Sequence, residues 1–445
     1  MTSQTQVTTG TKRYYNGVGS YWTTRCCSAF ALIAACVSAA NAQQTTVVDQ
    51  PRVNRPRSDH RPDPNDNRNA AYGLFPVTEL WHLSLNNLLL APPAFKDDRG
   101  YFPIGDGQLA AYDVRHGTLL WIAPVHAEFQ PILGERLIFV IEPNAIVALR
   151  DDTGVEAWRV ALTESLAAPV TCHNGWLVAI TASGGVLAFR ASDGVLIWRQ
   201  DLDALPHATV ALVDDRVYVP MQDSRIIALQ VETGEPVWEH RLGGPPNEIL
   251  ATSDFVYAGS TDNFFYALRA RDGTIAWRWP TGADVVGRPI VDKHHVYFVS
   301  LDNVLRALDK NSGNLRWKRA LTFRPTRGLV AMGDAVIASG ISQSASVFWM
   351  KDGAPLGNMA GAGDELAAQP HPVVSSGGFP IVVLVSRDLD QGTIVSTWTR
   401  GIEPKVQPMA PLPNPVAPPA APDALPVTQG QPADTDRATE DAGMP

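Results

Sequence analysis

Cysteine is scarce in this chain of 445 residues and unevenly placed. Three of the four cysteines, Cys26, Cys27 and Cys36, lie within the first 36 residues, and Cys172 stands alone in the rest. A single cysteine cannot form an intrachain disulfide, so disulfide-stabilised domain classes are excluded after residue 36. A lone cysteine on a strand is usually a small buried hydrophobic residue, and we expect that role for Cys172.

Positive charge is also in short supply. The chain has 36 Lys and Arg against 45 Asp and Glu, which gives a formal net charge of −9 at pH 7. Proteins that bind nucleic acids usually carry a basic face, so this balance argues against a phosphate-backbone partner. Mild acidity mainly favours solubility and says little else about partners.

Familiar catalytic motifs are missing from the sequence. It contains neither HExxH nor G-x-S-x-G. The adjacent pair His294 and His295 stands at a turn before the apolar run HVYFVS. Consecutive strand residues face opposite sides, so the two imidazoles are poorly placed to bind one metal ion. We interpret the pair as part of a solvated turn.

The first 42 residues have the features of an export signal. Three cations and no acid accompany an apolar stretch at 26–40, which is too short to span a membrane as a helix. Ala40-Asn41-Ala42 matches a cleavage site, and cleavage there would change the net charge from −9 to −12. Alternatively, Ile33-Ala34-Ala35-Cys36 resembles a lipobox, with Cys36 as the lipidated residue. Both interpretations predict export across the inner membrane.

A short phrase recurs six times along the chain at intervals of 37 to 40 residues, as in VLAFRASDGVLIW and IIALQVETGEPVW. Each copy contains an apolar run, a turn with glycine and a tryptophan four residues later. The glycines are Gly117, Gly154, Gly194, Gly234, Gly273 and Gly313, and the tryptophans are Trp121, Trp158, Trp198, Trp238, Trp277 and Trp317. Glycine permits the positive φ of such turns, and we expect tryptophan to fill the gap between neighbouring sheets.

Four short strands fit into each repeat, which is the size of a β-propeller blade. Eight first-strand segments occur between Ala91 and Pro372. The seventh tryptophan position holds Gly357, so we expect a degenerate seventh blade in which Ala354-Pro355-Leu356 replaces a normal fourth strand. Trp81 has no blade before it, and its strand would complete the eighth blade and close the ring. The prediction is an all-β, eight-bladed propeller of four-stranded antiparallel blades; seven blades is the alternative.

The predicted propeller domain covers residues 75–401. The polar segment 43–74 is expected to be a disordered linker. The Pro- and Ala-rich segment 402–445 is expected to be a disordered tail with some polyproline-II character.

Residues 308–317, LDKNSGNLRW, match the phrase ALDxxTGxxxW. This repeat resembles that of the pyrroloquinoline-quinone-like propellers, and the resemblance covers about residues 75–400. One branch of that group comprises quinoprotein alcohol dehydrogenases with a quinone and Ca²⁺ on the ring axis. The other comprises cofactor-free propellers such as the BamB family. Resemblance to that family implies a subunit of the machinery that assembles outer-membrane β-barrels.

The dehydrogenase branch is the alternative function. Resemblance to it would imply an adjacent cysteine pair against the quinone, but Cys26-Cys27 falls in the predicted signal peptide. The repeat spacing also leaves no room for the long insertions that roof such a site. We therefore expect no enzyme activity, no cofactor and no metal site.

Four aspartates recur at the turn between the second and third strands of different blades. They are Asp106, Asp223, Asp262 and Asp302. Equivalent turns lie on one face of a propeller, so these residues could form an acidic surface for a partner protein. Ordinary turn chemistry is the simpler explanation, because Asp is common in such turns.

These observations predict a non-catalytic binding or assembly scaffold of the cell envelope, a monomer within a complex, with a BamB-like outer-membrane assembly factor as the specific hypothesis. The expected location is the periplasm, with anchoring to the outer membrane through Cys36 if the lipobox is used. The expected partners are envelope proteins, among them the β-barrel insertase.

Overall fold

The computed structural model describes Phe75, residues 77–373 and residues 381–400. The predicted signal peptide 1–42, the lipidation site Cys36, the linker 43–74 and the tail 402–445 lie outside the described residues. Every regular element in the described part is a β-strand. The strands form eight separate antiparallel sheets, numbered here as blades 1 to 8 in chain order.

Blades 1 to 4 each contain four strands that pair in chain order. Blade 1 consists of β2 (Ala94–Lys96), β3 (Arg99–Ile104), β4 (Gln108–Asp113) and β5 (Thr118–Ala123). Blade 2 consists of β6 (Ile132–Leu133), β7 (Leu137–Glu142), β8 (Ala145–Arg150) and β9 (Glu156–Ala161). Blade 3 consists of β10 (Thr171–His173), β11 (Trp176–Ile180), β12 (Gly185–Arg190) and β13 (Leu196–Asp201). Blade 4 consists of β14 (Ala211–Val213), β15 (Arg216–Pro220), β16 (Arg225–Gln230) and β17 (Pro236–Arg241).

Blades 5 to 7 repeat this arrangement, and blade 8 adds the N-terminal strand. Blade 5 consists of β18 (Pro246–Ala251), β19 (Phe255–Ser260), β20 (Phe264–Arg269) and β21 (Ile275–Pro280). Blade 6 consists of β22 (Val285–Val291), β23 (His295–Ser300), β24 (Val304–Asp309) and β25 (Leu315–Ala320). Blade 7 consists of β26 (Val330–Met332), β27 (Ala335–Ala338), β28 (Ser344–Trp349) and β29 (Pro355–Ala360). Blade 8 consists of β30 (Glu365–Leu366), β31 (His371–Val373), β32 (Ile381–Asp388), β33 (Gly392–Arg400) and β1 (Val77–Ser84).

The ring closes where β1 pairs with β33. Trp81 lies opposite Thr397 and Ser84 opposite Ile394, although the two strands are more than 300 residues apart in sequence. Pairing of the two ends removes the open edges that a linear array would expose. The eight-bladed ring and its closure by the N-terminal strand are confirmed.

The hydrophobic core is divided into eight clusters, one between each pair of neighbouring blades. In the cluster between blades 3 and 4, for example, Val178 and Ile180 pack against Val217 and Val219. The middle strands of each blade are buried on both faces because each sheet packs between two others. Their sequences are therefore nearly continuous apolar runs rather than alternating ones.

Each repeat tryptophan links its own blade to the next. The indole Nε1 of Trp198 donates to Val231 O at 2.7 Å, and its ring lies against Gly234, which has a φ of +75°. Nε1 of every tryptophan from Trp81 to Trp317 in this series donates to a carbonyl oxygen in the corresponding turn of the next blade, at 2.7 to 3.2 Å. The series contains a seventh glycine, Gly353, which lies against Trp317.

Blade 7 corrects one sequence-based expectation. Pro355–Ala360 forms a complete fourth strand, so the prediction that Ala354-Pro355-Leu356 would replace it was wrong. Proline is tolerated as the first residue of this outer strand, and backbone pairing does not require tryptophan. The ring of Phe75 lies against Gly357 and occupies the side of the strand where the other blades carry an indole.

Candidate functional site

The turn between the second and third strands and the connections between blades emerge on the same face, because neighbouring strands in each blade are antiparallel. We call this the linker face. Asp106, Asp223, Asp262 and Asp302 all lie in these turns, in blades 1, 4, 5 and 6. The structure therefore brings the four predicted residues to one face, but it gives them different surroundings.

Asp223 belongs to an ion-pair cluster around Arg225, whose side chain is only 10% exposed. The guanidinium donates from Nε to Asp223 Oδ2 at 2.6 Å, from Nη1 to Glu239 Oε2 at 2.8 Å and from Nη2 to Asp203 Oδ1 at 2.5 Å. These bonds raise the pKa of Arg225, that from Asp203 most strongly. The same contact lowers the pKa of Asp203. A single cation thus fixes three carboxylates.

A second ion-pair cluster, around Arg199 in blade 3, lies on the same face, and we treat the two clusters together. Arg199 pairs with Glu164 at 2.7 Å and with Asp201 at 2.8 Å, and Arg241 pairs with Asp223 at 3.4 Å. The blade 3–4 network consists of Arg199, Arg225, Arg241, Glu164, Asp201, Asp203, Asp223 and Glu239. Its three cations and five acids leave a formal excess of two negative charges.

Asp302 and Asp262 are held within their own blades. Asp302 accepts hydrogen bonds from Arg306 at 2.5 Å and from Ser300 at 2.6 Å. Burial alone would raise the pKa of Asp302, but these donors lower it overall. Asp262 accepts a hydrogen bond from the Tyr266 hydroxyl at 2.5 Å. Both aspartates therefore have structural partners.

Two connector glycines make room for these aspartates. A Cβ on Gly282 would lie 2.5 Å from Asp302 Oδ2, and a Cβ on Gly243 would overlap Asp262. In both cases the connection that leads into a blade packs directly over the aspartate turn of that same blade. The aspartates order the turn and the connector together.

Asp106 differs from the other three because it is exposed and makes no hydrogen bond or ion pair with another described residue. It adopts a positive φ of 63°, which Asp tolerates better than most residues. Its carboxylate is free to meet a partner.

Sequence reasoning missed the arginines that balance this face. A signal was present, since Asp223 is followed by Arg225 two residues later and Asp302 by Arg306 four residues later. Each arginine stands in the first residues of the strand that follows the turn, so both could have been expected near their aspartates.

The paired histidines lie on the opposite face, with His294 in the turn before β23 and His295 as the first residue of that strand. Their ring centroids are 6.1 Å apart with an interplanar angle of 67°. His294 N and His295 N both donate to Asp292 Oδ1, which orders the turn. Within residues 77–373 and 381–400, no three His, Cys, Asp or Glu side chains are grouped as metal ligands.

Cys172 lies in the inner strand of blade 3 and is partly buried. Burial, reinforced by the negative charge of Glu135, raises the pKa of its thiol to about 11. A thiol with that pKa stays protonated at neutral pH and is a poor nucleophile.

The described residues do not fit a quinone and Ca²⁺ pair. Ca²⁺ takes six to eight oxygen ligands, usually including several carboxylates. On the ring axis the cavities are lined by one carboxylate, Glu248, and by two arginines, Arg288 and Arg327. The axial residues offer a mixed charge rather than a hard-cation site.

No helix in the part of the chain that the structure describes is long and apolar enough to cross a membrane.

Two solved structures of differently named proteins superpose on this chain. BamB from Moraxella catarrhalis superposes with a TM-score of 0.57 and 17% identity, covering 73% of this chain and 99% of that one. Quinohemoprotein alcohol dehydrogenase from Comamonas testosteroni superposes with a TM-score of 0.59 and 12% identity, covering 76% and 77%. At such identities these structures share the fold alone.

Sequence comparison, unlike structural superposition, can distinguish between families that share this fold. A protein described as outer membrane protein assembly factor BamB from Yersinia pestis is 24% identical over 168 residues, 34% of this chain and 43% of the relative. One with the same description from Burkholderia pseudomallei is 24% identical over 244 residues, 50% and 63% respectively. The alignments thus span less than two thirds of either relative.

A family model described as outer membrane protein assembly factor BamB matches residues 142–254 and 243–387. Together these ranges cover more than half of the 445 residues and run from the end of the second strand of blade 2 into blade 8. The chain therefore belongs to the family of PQQ-like propellers whose model is described as outer membrane protein assembly factor BamB.

Proposed function

We propose that this protein is an exported, non-catalytic scaffold that helps assemble outer-membrane proteins, as the name of its family describes. The observation that carries the proposal is the family match over residues 142–387. The closed ring fits the role, because a rigid disc presents binding groups that lose little conformational entropy on association.

The linker face of blades 3 and 4 is the part of the surface that best fits a protein partner. In the blade 3–4 network, Asp203 and Glu239 are 74% and 60% exposed at the side chain although both are bonded to Arg225. Ion pairs that fix exposed carboxylates in place arrange charge for recognition and cost little further ordering. Together with the free carboxylate of Asp106, the network would complement a basic surface on the partner.

A quinone-dependent dehydrogenase is the second function class, supported by the likeness to the Comamonas testosteroni enzyme. That likeness is one of fold, and the axial residues do not provide a hard-cation site. Addition of the quinone with Ca²⁺, followed by tryptophan fluorescence and dye reduction, tests this alternative. Saturable quenching with turnover would replace the scaffold proposal.

The first test of the scaffold proposal is crosslinking of the tagged protein in living cells, followed by purification and identification of the proteins attached to it. Recovery of the β-barrel insertase would support the assembly role. Recovery of other envelope proteins without the insertase would overturn it in favour of a different envelope complex.

A second test locates the interface. The double variant Asp106→Lys with Asp201→Lys reverses one free and one arginine-paired acid on the linker face. Its matched control, Asp152→Lys with Asp193→Lys, makes the same change on the opposite face, where Asp193 pairs with Arg190. We expect capture of the partner to fall at least about tenfold in the first variant alone. Equal capture by both variants would contradict an interface on the linker face.

A further inference from the structure

The inner strands of the blades surround an axial channel. One residue of each inner strand pairs with the third residue of the second strand, and the residue two positions before it recurs at an equivalent place around the ring. These residues are Pro92, Gln130, Pro169, Thr209, Glu248, Arg288, Gly328 and Gln369. Gln130, Glu248 and Gln369 line both of the cavities that make up the channel, about 830 and 550 Å³ in volume. Glu248 and Arg288 are the charged members of this set, which we call the channel waist.

Two bulged strands present these charges. The inner strands β18 and β22 have six and seven residues, whereas the inner strands β2, β6, β10, β14, β26 and β31 have two or three. Their pairing shifts register between Pro246 and Ile249 and between Val286 and Ile290, so Glu248 and Arg288 sit in the bulges. Bulges re-aim side chains and are common beside binding sites.

The bulge in blade 6 requires a specific backbone. Gly287 has a φ of +62°, and a Cβ there would overlap the backbone of Gly328 in the connection to blade 7. The backbone of Arg288 therefore packs directly against the connection to blade 7.

The two charges face each other without an ion pair. The carboxylate of Glu248 and the guanidinium of Arg288 do not come within 4.0 Å, and the guanidinium donates no hydrogen bond to another described residue. Burial raises the pKa of Glu248, although the Arg288 charge and backbone N–H oppose the shift. Burial also lowers the pKa of Arg288 against the charge of Glu248. Burial therefore destabilises the charged form of each group, and the charge of its neighbour offsets this effect only in part.

Two amides complete the waist. Gln130 Nε2 donates to Pro93 O at 2.8 Å, and Gln369 Nε2 donates to Gly328 O at 2.9 Å. Each bond fixes the amide against the preceding blade and leaves Oε1 without a partner among the described residues. The waist therefore offers one bidentate cationic donor, one carboxylate and two amide acceptors.

We propose that the channel waist binds an α-amino acid as a zwitterion. The ligand carboxylate pairs with Arg288, and its ammonium group pairs with Glu248 in the neighbouring blade. A molecule that carries both charges satisfies both unpaired groups at once, which a simple anion or cation does not. The volumes of the two cavities exceed that of a single amino acid, so recognition falls on the backbone groups of the ligand. This inference goes beyond the proposed scaffold function and does not depend on it.

Isothermal titration calorimetry on the purified full chain tests the proposal with three probes: L-alanine, N-acetyl-L-alanine and L-alaninamide. We expect saturable 1:1 binding of L-alanine and affinities at least about tenfold weaker for the two blocked derivatives, since each loses one charge-assisted contact. Equal binding of N-acetyl-L-alanine would reduce the site to a carboxylate site and overturn the zwitterion proposal, and the absence of L-alanine binding would overturn it entirely.

Two near-isosteric variants test whether L-alanine binds at the channel waist. Arg288→Gln and Glu248→Gln should each weaken L-alanine binding at least about tenfold. Arg271→Gln and Glu232→Gln make the same chemical changes in exposed turns outside the channel and should leave binding unchanged. Unaltered binding in Arg288→Gln would contradict the assignment. Because capture of the assembly partner is measured separately, failure here leaves the scaffold proposal standing.

Discussion

The indole of Trp198 in blade 3 lies against Gly234 in the turn of blade 4, and its Nε1 donates to Val231 O at 2.7 Å. A tryptophan thus does not serve its own blade alone. It docks on the next blade, and the glycine four residues before the next tryptophan is the surface that receives it. One repeated phrase encodes both halves of each junction.

Gly234→Ala is expected to destabilise the protein by roughly 2–4 kcal/mol. The new Cβ would lie 2.6 Å from Trp198 Cε3, and the residue must keep a positive φ. Gly175→Ala is the matched control, since Gly175 has a φ of +81° with no atom within 4 Å of the added Cβ. It should cost about 1–2 kcal/mol from backbone strain alone. Urea denaturation measures both, and equal losses would show that the indole contact contributes nothing.

Phe75→Ala is expected to lower the free energy of unfolding by roughly 1–3 kcal/mol, because it opens a gap beside Gly357 in the cluster between blades 7 and 8. Phe75→Leu keeps most of the volume and should cost less than half as much. Thermal denaturation of both variants measures how much stability each one loses. A wild-type melting temperature in Phe75→Ala would mean that this ring does not substitute for the missing indole.

Arg306→Gln should destabilise the protein by roughly 1–2 kcal/mol at neutral pH, because it removes charged donors from Asp302. The folded state lowers the pKa of Asp302, so the stabilisation is fully present above the ordinary aspartate value of 3.8 and is lost as pH falls through the lower folded pKa. The difference between wild type and variant should therefore shrink in acid. Urea denaturation at pH 7 and pH 3 measures it, and a constant difference would contradict the ion-pair origin.

His371 stacks on Phe95 with ring centroids 4.5 Å apart, and burial lowers the pKa of its imidazole to about 4. The unfolded chain binds a proton near pH 6.5, so stability should fall as pH drops from about 6.5 towards 4, by at most about 3 kcal/mol. His371→Phe keeps the stack and removes this dependence. Denaturation midpoints between pH 7 and pH 4 test it, and parallel curves for the two proteins would contradict a neutral buried imidazole.

Several features of the fold could be read from the sequence because they depend on local chemistry. The spacing from Gly194 to Trp198 reports a turn followed by a strand, and its recurrence gives the blade length. Trp81 also revealed how the ring closes. Its strand has the pattern of a fourth strand, but no blade precedes it, so it must complete a blade elsewhere in the ring. These inferences hold because strand, turn and repeat signals lie within a few residues of each other.

The candidate sites were harder to foresee. The four aspartates share a face as expected, but the carboxylates of Asp203 and Glu239 meet Arg225 from a connector and an outer strand. Glu248 and Arg288 are forty residues apart, and no local motif marks either of them. The distance between such groups is set by how blades pack around the axis.

The sequence by itself determined the repeat, the number of blades and the strand that closes the ring, because each follows from short-range backbone preferences copied along the chain. Only the tertiary structure decided which charges are balanced, that Phe75 lies where an indole would stand in blade 7, and which residues meet on the axis. Those relationships depend on side chains from different blades. A repeat specifies its own strands and turns, while the groups that face each other across the ring are free to vary without disturbing it.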